Sequence, residues 1–255
     1  MTRFRPLPAC DGDLPRRLVS GAEAVLRVAA ARGVEVCFAN PGTTEMPLVE
    51  ALEAVPAIRP VLGLHENVCT GAADGFARMT GRPAMSLLHL GVGLGNGVSN
   101  LHNARRARSP GLVVVGDHPR CHRTAGTPLA MDLPRLASAV CRCVHAAEDP
   151  ATLVQEVDAA LAAASSPPAG PAVLLLPHDV QAQAIGWDGA SARPLAPPAA
   201  PPGQVGVEAA ARALLQGGSR AALLLGGAAL HGQGLVLARR IADATGCRLL
   251  AEVWP

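Results

Sequence analysis

Lysine and tyrosine are absent from the 255-residue chain, and only three Phe and two Trp occur. All 22 basic residues are therefore arginine. That excludes a Schiff-base lysine, a phosphate-loop lysine and a tyrosine acid as catalytic groups. A dominant charge sign is lacking too. The 22 basic residues face 20 acidic ones, and a net charge of +2 gives no broad field for nucleic acid or an anionic membrane. No apolar run reaches the roughly 18 residues that a membrane helix needs. Residues 1–18 carry Pro, Asp and Arg without the apolar centre of a signal peptide. The expectation is a soluble cytoplasmic protein. The seven cysteines are odd in number and irregularly spaced, so a disulfide framework is not expected. Those in apolar runs read as buried thiols.

What is present is an alternation of short apolar runs and small-residue amphipathic stretches. Strands are expected at 35–38, 59–62, 84–88, 112–115, 140–144 and 172–176. Helices are expected at 21–32, 43–54, 66–79, 96–107 and 150–164. Apolar runs of four or five residues without alternation fit strands covered on both faces. The fold class is α/β, a doubly wound parallel sheet flanked by helices. Ligands in such sheets bind at the carboxyl ends of the strands. The functional candidates therefore follow Phe38, Leu64, Leu88 and Val115.

Pro and Ala dominate 191–203, which reads as a linker. The βα pattern then restarts, with helices at 207–216 and 235–245 and strands at 221–225 and 248–253. About 50 residues are too few for an independent doubly wound domain, so a truncated second α/β domain is expected. The division is an N-terminal tail at 1–18, a first domain at 19–183, a linker at 184–204 and the start of a second domain at 205–255.

Several residues invite chemistry. Glu66 opens a helix after an apolar strand, with no Arg within a turn of it. One reading is a first-turn carboxylate facing the helix dipole. The other is a desolvated carboxyl that exchanges a proton with a ligand. The glycine-rich run from His89 to Gly97 suggests a phosphate loop, but the acidic residue of a ribose-binding fingerprint is missing. Close backbone approach to a ligand ring is the better use of those glycines. His89 ends a strand at the ligand edge, where a structural and a functional role are both open. Asp117, His118, Cys121 and His122, and likewise Cys141, Cys143 and His145, lack the paired spacing of a zinc site. No metal ligand is assigned.

Three segments together resemble the pyrimidine-binding domain of thiamine diphosphate-dependent enzymes, in the branch of acetolactate synthase and benzoylformate decarboxylase. They are Phe38-Ala-Asn-Pro-Gly-Thr-Thr-Glu45, Leu64-His-Glu-Asn-Val-Cys-Thr-Gly-Ala-Ala-Asp-Gly-Phe-Ala-Arg78, and Leu88-His-Leu-Gly-Val-Gly-Leu-Gly-Asn-Gly97 followed by Asn100-Leu-His-Asn-Ala-Arg105. Their order and spacing agree with the family across about 21–180, and residues after Val205 resemble the start of its central domain. The resemblance implies that Glu66 bonds the aminopyrimidine of the cofactor and so activates its thiazolium carbon. It implies that His89 relays a proton, and that Thr43 stands near the substrate. Pro41, Gly42, Gly93 and Asn96 would line the pyrimidine. A 2-keto acid is the implied substrate, for decarboxylation or carboligation. Mg²⁺ and the diphosphate would be held by a domain absent from this chain, in a homodimer or by a complementing polypeptide. FAD has no sequence support. The synthase signatures after the third and fourth strands are replaced by His89-Leu-Gly-Val-Gly93 and Gly116-Asp117, which puts acetolactate formation in doubt. A non-catalytic pyrimidine-domain remnant or partner subunit is the alternative expectation.

Overall fold

The structure, a computed structural model, describes residues 17–189 and 202–252. Most of the expected tail and of the expected linker lies outside the described residues. Along the chain run β1 (Arg17–Ser20), α1 (Gly21–Ala31), β2 (Val36–Asn40), α2 (Met46–Ala51), β3 (Arg59–Leu62), α3 (Glu66–Thr80), β4 (Ala84–His89) and α4 (Leu90–Arg106). Then come β5 (Gly111–Asp117), α5 (Leu133–Val140), β6 (Cys143–Ala146), α6 (Leu153–Ser165), β7 (Pro171–Pro177), α7 (His178–Ala182) and β8 (Ala184–Trp187).

Six strands form one parallel sheet in the order β3-β2-β4-β5-β7-β6. Every residue of β7, and all but the last of β4, is buried. That is why these strands read as unbroken apolar runs: both faces are covered. Helix α1 packs against both α2 and α6, and α3 and α5 both pack on α4. Two apolar clusters result, one around Leu26, Leu87 and Leu174, the other around Leu88, Leu94 and Val115. Adjacent residues of one strand, Leu87 and Leu88, thus face opposite layers.

The chain steps from β2 outward to β3, then returns past β2 to lay down β4. The winding direction therefore reverses between β2 and β4, which opens a crevice at their carboxyl ends. Register brings the ends of three strands level there: Asn40 pairs with Leu88, and His89 with Gly116.

Two expectations need correction. The glycine run after β4 is not a loop. Helix α4 begins at Leu90, directly after the strand, and takes in Gly91, Gly93, Gly95 and Gly97. Each interior glycine costs a helix about 1 kcal/mol relative to Ala. The offset is tertiary: a Cβ on Gly97 would stand 3.0 Å from Thr70 Cγ2, and one on Gly91 2.4 Å from Met131 Cβ. The helix therefore needs glycine where α3 and Met131 press on it. Turning from strand to helix without a loop places Leu90 at φ +51°, a left-handed conformation that costs a non-glycine residue about 1–2 kcal/mol. The second correction is at 184–187, expected as linker. It forms β8, which pairs antiparallel with β1. Ser20, at the end of β1, caps α1 by accepting the Glu23 N–H at 3.1 Å.

In the C-terminal segment, α8 (Gln204–Gly217) precedes β9 (Ala222–Leu225), and α9 (Gln233–Thr245) precedes β10 (Arg248–Ala251). Strands β9 and β10 pair in parallel.

Candidate active site

Glu66 is the first residue of α3 and only 8% exposed. Its helix is started by His65, whose Nδ1 accepts the Asn67 N–H at 3.1 Å. The loop ahead of it is tied to β2, because the Asn40 side-chain amide donates to the Gly63 carbonyl at 2.8 Å. Across from it, Asn96 on α4 donates from Nδ2 to Glu66 Oε2 at 3.0 Å. Glu66 Oε1 has no hydrogen-bond donor among the described residues, and Glu66 has no ion-pair partner among them. A Cβ on Gly93 would stand 3.3 Å from that same Oε1. The helix start is held in place by polar ties between α3 and α4. Thr70 Oγ1 donates to the Gly97 carbonyl at 3.2 Å, and Asn100 Nδ2 donates to the Asn67 carbonyl at 2.8 Å.

Around His89 the structure assembles a second group, part of it outside the sequence reading. Residues Thr43–Glu45 form a 3-10 turn after β2, and Glu45 in that turn is fully buried. Its Oε2 accepts the Gly42 N–H at 2.7 Å and lies 2.9 Å from His89 Nδ1. Its Oε1 accepts the Thr44 hydroxyl. Thr44 Oγ1 is also 3.1 Å from His89 Nδ1. His178, which opens α7, places its Nδ1 3.2 Å from the Thr44 carbonyl. Three strand ends, those of β2, β4 and β5, meet in this cluster. On β5, a Cβ at Gly116 would fall 1.8 Å from Glu45 Oε1. On the β2 turn, a Cβ at Gly42 would fall 2.4 Å from His89 Nδ1. Both positions need glycine because the buried carboxylate and the imidazole occupy the space.

The seven sequence-singled positions thus fall unevenly. Glu66, Gly93 and Asn96 form one contact group. His89 and Gly42 form another with Glu45. Pro41 is half-buried, and Thr43 is exposed. The hydroxyl that reaches His89 is that of Thr44, the neighbour of Thr43. Sequence reasoning missed Thr44, Glu45 and His178. Glu45 follows a Pro-Gly turn at a helix start, a place where acids are ordinary. Its carboxylate packs on Gly116 of β5, about 70 residues further along the chain, and only the folded sheet brings the two together.

The other polar groups of this sheet edge are paired among themselves. Asp117 binds Arg123, which also contacts Glu148, and Arg120 binds Asp179 at 2.8 Å. A cavity of about 240 Å³ lies beside Asp117, His118, Arg123 and Glu148.

Comparison with known proteins gives this edge a context. Residues 19–134 match the family profile "Thiamine pyrophosphate enzyme, N-terminal TPP binding domain". A Mycobacterium tuberculosis protein with the provisional name acetolactate synthase large subunit IlvX is 48% identical over 240 residues, covering 93% of this chain and 45% of that protein. Benzoylformate decarboxylase of Pseudomonas aeruginosa is 34% identical over 152 residues, covering 59% of this chain and 28% of its own. The chloroplastic acetolactate synthase of Arabidopsis thaliana is 30% identical over 185 residues, covering 72% and 26%. This chain therefore spans less than half the length of these relatives. The solved structure of the Rhodococcus jostii RHA1 thiamine diphosphate-dependent 4-hydroxybenzoylformate decarboxylase shares the fold. Its TM-score is 0.71 at 24% identity, over 83% of this chain and 40% of that one. Residues 19–134, which carry both contact groups except His178, belong to the N-terminal TPP binding domain family of thiamine pyrophosphate enzymes.

Proposed function

We propose that this chain is the pyrimidine-binding part of an enzyme that decarboxylates or couples 2-keto acids, with Glu66 as the proton-exchanging group toward thiamine diphosphate. The observation that carries the reading is the asymmetry of the Glu66 carboxylate. Asn96 holds one oxygen, and the other has no donor among the described residues. Bound there, the cofactor supplies an electron-accepting thiazolium for the charge left by decarboxylation. The residues fit its aminopyrimidine end. Oε1 can accept a hydrogen bond from a ring N–H, or donate one when it carries the proton. The Asn96 bond holds Oε2 and so restrains the carboxylate from turning. Glycine at 93 keeps the space next to Oε1 clear of a side chain. Pro41, Gly42 and Thr43, at the end of β2, would border the same crevice. His89 would relay protons to and from the substrate. A positioned acid–base group of this kind contributes about 10²–10⁴-fold to rate.

The domain that would hold diphosphate and Mg²⁺ is assigned to polypeptide beyond this chain, and the active species to a homodimer or a complemented assembly. Residues 19–183 act as the cofactor domain, and 205–255 as the beginning of a central one. Exposed Leu62, Leu64 and Val68 flank the start of α3. An apolar surface of that kind beside the candidate carboxylate supports its being covered by another polypeptide.

The test uses the chain within its holoprotein, joined to its diphosphate-binding part and offered aliphatic and aromatic 2-keto acids. Glu66→Gln is expected to lower kcat by at least about 100-fold while folding normally. A wild-type rate from Glu66→Gln contradicts the role of Glu66. Turnover of no 2-keto acid by the wild type overturns the substrate class.

A further inference from the structure

The Glu45–His89 contact has no part in the reading of Glu66, and its proton count is closed. As a carboxylate, Glu45 is acceptor-only and can supply no hydrogen. The Gly42 N–H necessarily donates to it, and the Thr44 hydroxyl spends its one hydrogen on Oε1. At 2.9 Å from Oε2 and 3.1 Å from Thr44 Oγ1, His89 Nδ1 faces two acceptors and no donor. The hydrogen in that contact must therefore sit on Nδ1. The neutral imidazole then has its lone pair on Nε2, which has no protein partner among the described residues. The side chain of Glu45 is 0% exposed and that of His89 20%, so the carboxylate is sealed from solvent while part of the imidazole is not.

From this geometry we propose that Glu45 is a positioning residue: it locks His89 as the Nδ1–H tautomer, so that Nε2 is the atom that exchanges protons in the crevice. The proposal rests, for its catalytic meaning, on the reading of His89 as a proton relay. In the exchange, the Nε2 lone pair takes a proton from a substrate or intermediate hydroxyl, and the imidazolium then carries hydrogen on both nitrogens. The Nδ1–H stays in its bond to Glu45 throughout. The carboxylate balances the positive charge at 2.9 Å until Nε2 returns the proton. The arrangement follows the logic in which a buried carboxylate orients a histidine and stabilises its charged form.

Glycine at 42 and at 116 is a consequence of the same device. A Cβ at either place would enter the imidazole or the carboxylate. The Gly42 N–H and the Thr44 hydroxyl both donate to Glu45, so Thr44 has no second hydrogen to give His89 Nδ1. No Arg side chain contacts Glu45 or His89 among the described ion pairs, and His178 touches the cluster only at the Thr44 carbonyl.

The experiment is long-range ¹H–¹⁵N correlation NMR on the full 255-residue chain, labelled at histidine, at a mildly alkaline pH where neutral rings dominate. The His89 signals are assigned by their loss in His89→Gln. The wild type is expected to show the Nδ1–H pattern. Glu45→Gln can keep its amide oxygen in the Oε2 place, and is expected to retain that pattern. Glu45→Ala removes the acceptor and frees the Thr44 hydroxyl to donate to Nδ1, so its major form is expected to become Nε2–H. An Nε2–H pattern in the wild type overturns the proposal without any variant, so misfolding of Glu45→Ala cannot shelter it. Retention of Nδ1–H in a folded Glu45→Ala overturns it as well. These readouts need no cofactor. They separate failure of this proposal from failure of the Glu66 reading, which the decarboxylation assay decides.

Discussion

Replacing Gly116 by alanine adds one methyl group and strains no backbone, because Gly116 is an ordinary strand residue paired with His89. The methyl would lie 1.8 Å from Glu45 Oε1, 2.5 Å from its Cδ and 2.7 Å from its Cγ. Real contacts begin near 3 Å, so the carboxylate has to retreat by more than 1 Å from its place. The turn that carries it is fixed by the Gly42 N–H, the Thr44 hydroxyl and His89, and retreat sacrifices some of those bonds. A hydrogen bond to a charged group is worth about 1.5–3 kcal/mol, and overpacking alone costs about 1–3 kcal/mol. Lower unfolded-state entropy returns about 0.4–1 kcal/mol. The expected net loss is about 2–4 kcal/mol, or a melting point lower by about 5–15 °C. Urea unfolding followed by circular dichroism measures it, with Gly111→Ala as the control. That Cβ would meet nothing closer than the Ala84 carbonyl oxygen at 3.4 Å, so its effect should stay within about 0.5 kcal/mol. Adding Glu45→Ala removes the clash, and the double variant should be more stable than the sum of the singles by at least about 1 kcal/mol. A Gly116→Ala protein as stable as the wild type, or an additive cycle, refutes the packing reasoning.

Arg32 is 3% exposed at its side chain and places Nε 2.6 Å from Asp158 Oδ1. Asp158→Ala strands a buried guanidinium and should cost about 3 kcal/mol in the same unfolding assay, while Arg32→Met with Asp158→Leu should recover most of it. At Asp179, burial raises the carboxyl pKa, but hydrogen bonds from the Arg120 side chain and backbone, with its charge, outweigh this and hold it below the ordinary value. A depressed carboxyl contributes stability above its unfolded pKa, near 3.9. That contribution is lost as pH falls through the lower folded value. Asp179→Asn should therefore flatten the stability profile in the acid limb and change its shape little near neutrality. Burial, then the neighbouring Cys69, pushes the Cys37 thiol up to about 12, and burial, then Cys143, pushes Cys141 up to about 12. Both should resist alkylation in the folded chain and react on unfolding, whereas exposed Cys121 should react at once; mass spectrometry of labelled peptides checks this.

The sheet was legible because burial on both faces leaves a plain mark. The runs around Leu87, Val114 and Leu174 are apolar without alternation, and each is a central strand. Helix α3 was legible from its first residue to within one of its last, since Gly81 ends it in a left-handed cap at φ +70°. Helix α4 was legible only from residue 96 onward. The glycines of its first turns suggested a loop, and only the tertiary approach of Glu66 and Met131 explains them inside a helix. Strand β8 was also hidden: it is four residues long and gains its pairing from β1, at the far end of the domain sequence. At the site, Glu66 stood out because no arginine lies near it in sequence, and none pairs with it among the described residues. Glu45 looked no different from an ordinary helix-start acid. What distinguishes it is the missing side chain of Gly116 and the imidazole of His89, both supplied by strands that sequence spacing does not bring together.

The central claim is that Glu66 activates the cofactor, and it is tested most directly by the exchange of the thiazolium C2 proton with deuterium in the thiamine diphosphate-loaded holoprotein. This reaction needs no substrate and reads the cofactor-side proton exchange alone. Quenched-flow mixing with D₂O and proton NMR should show exchange at least about 100-fold slower in Glu66→Gln than in the wild type. Equal exchange rates in the two proteins, at equal cofactor occupancy, would contradict the account.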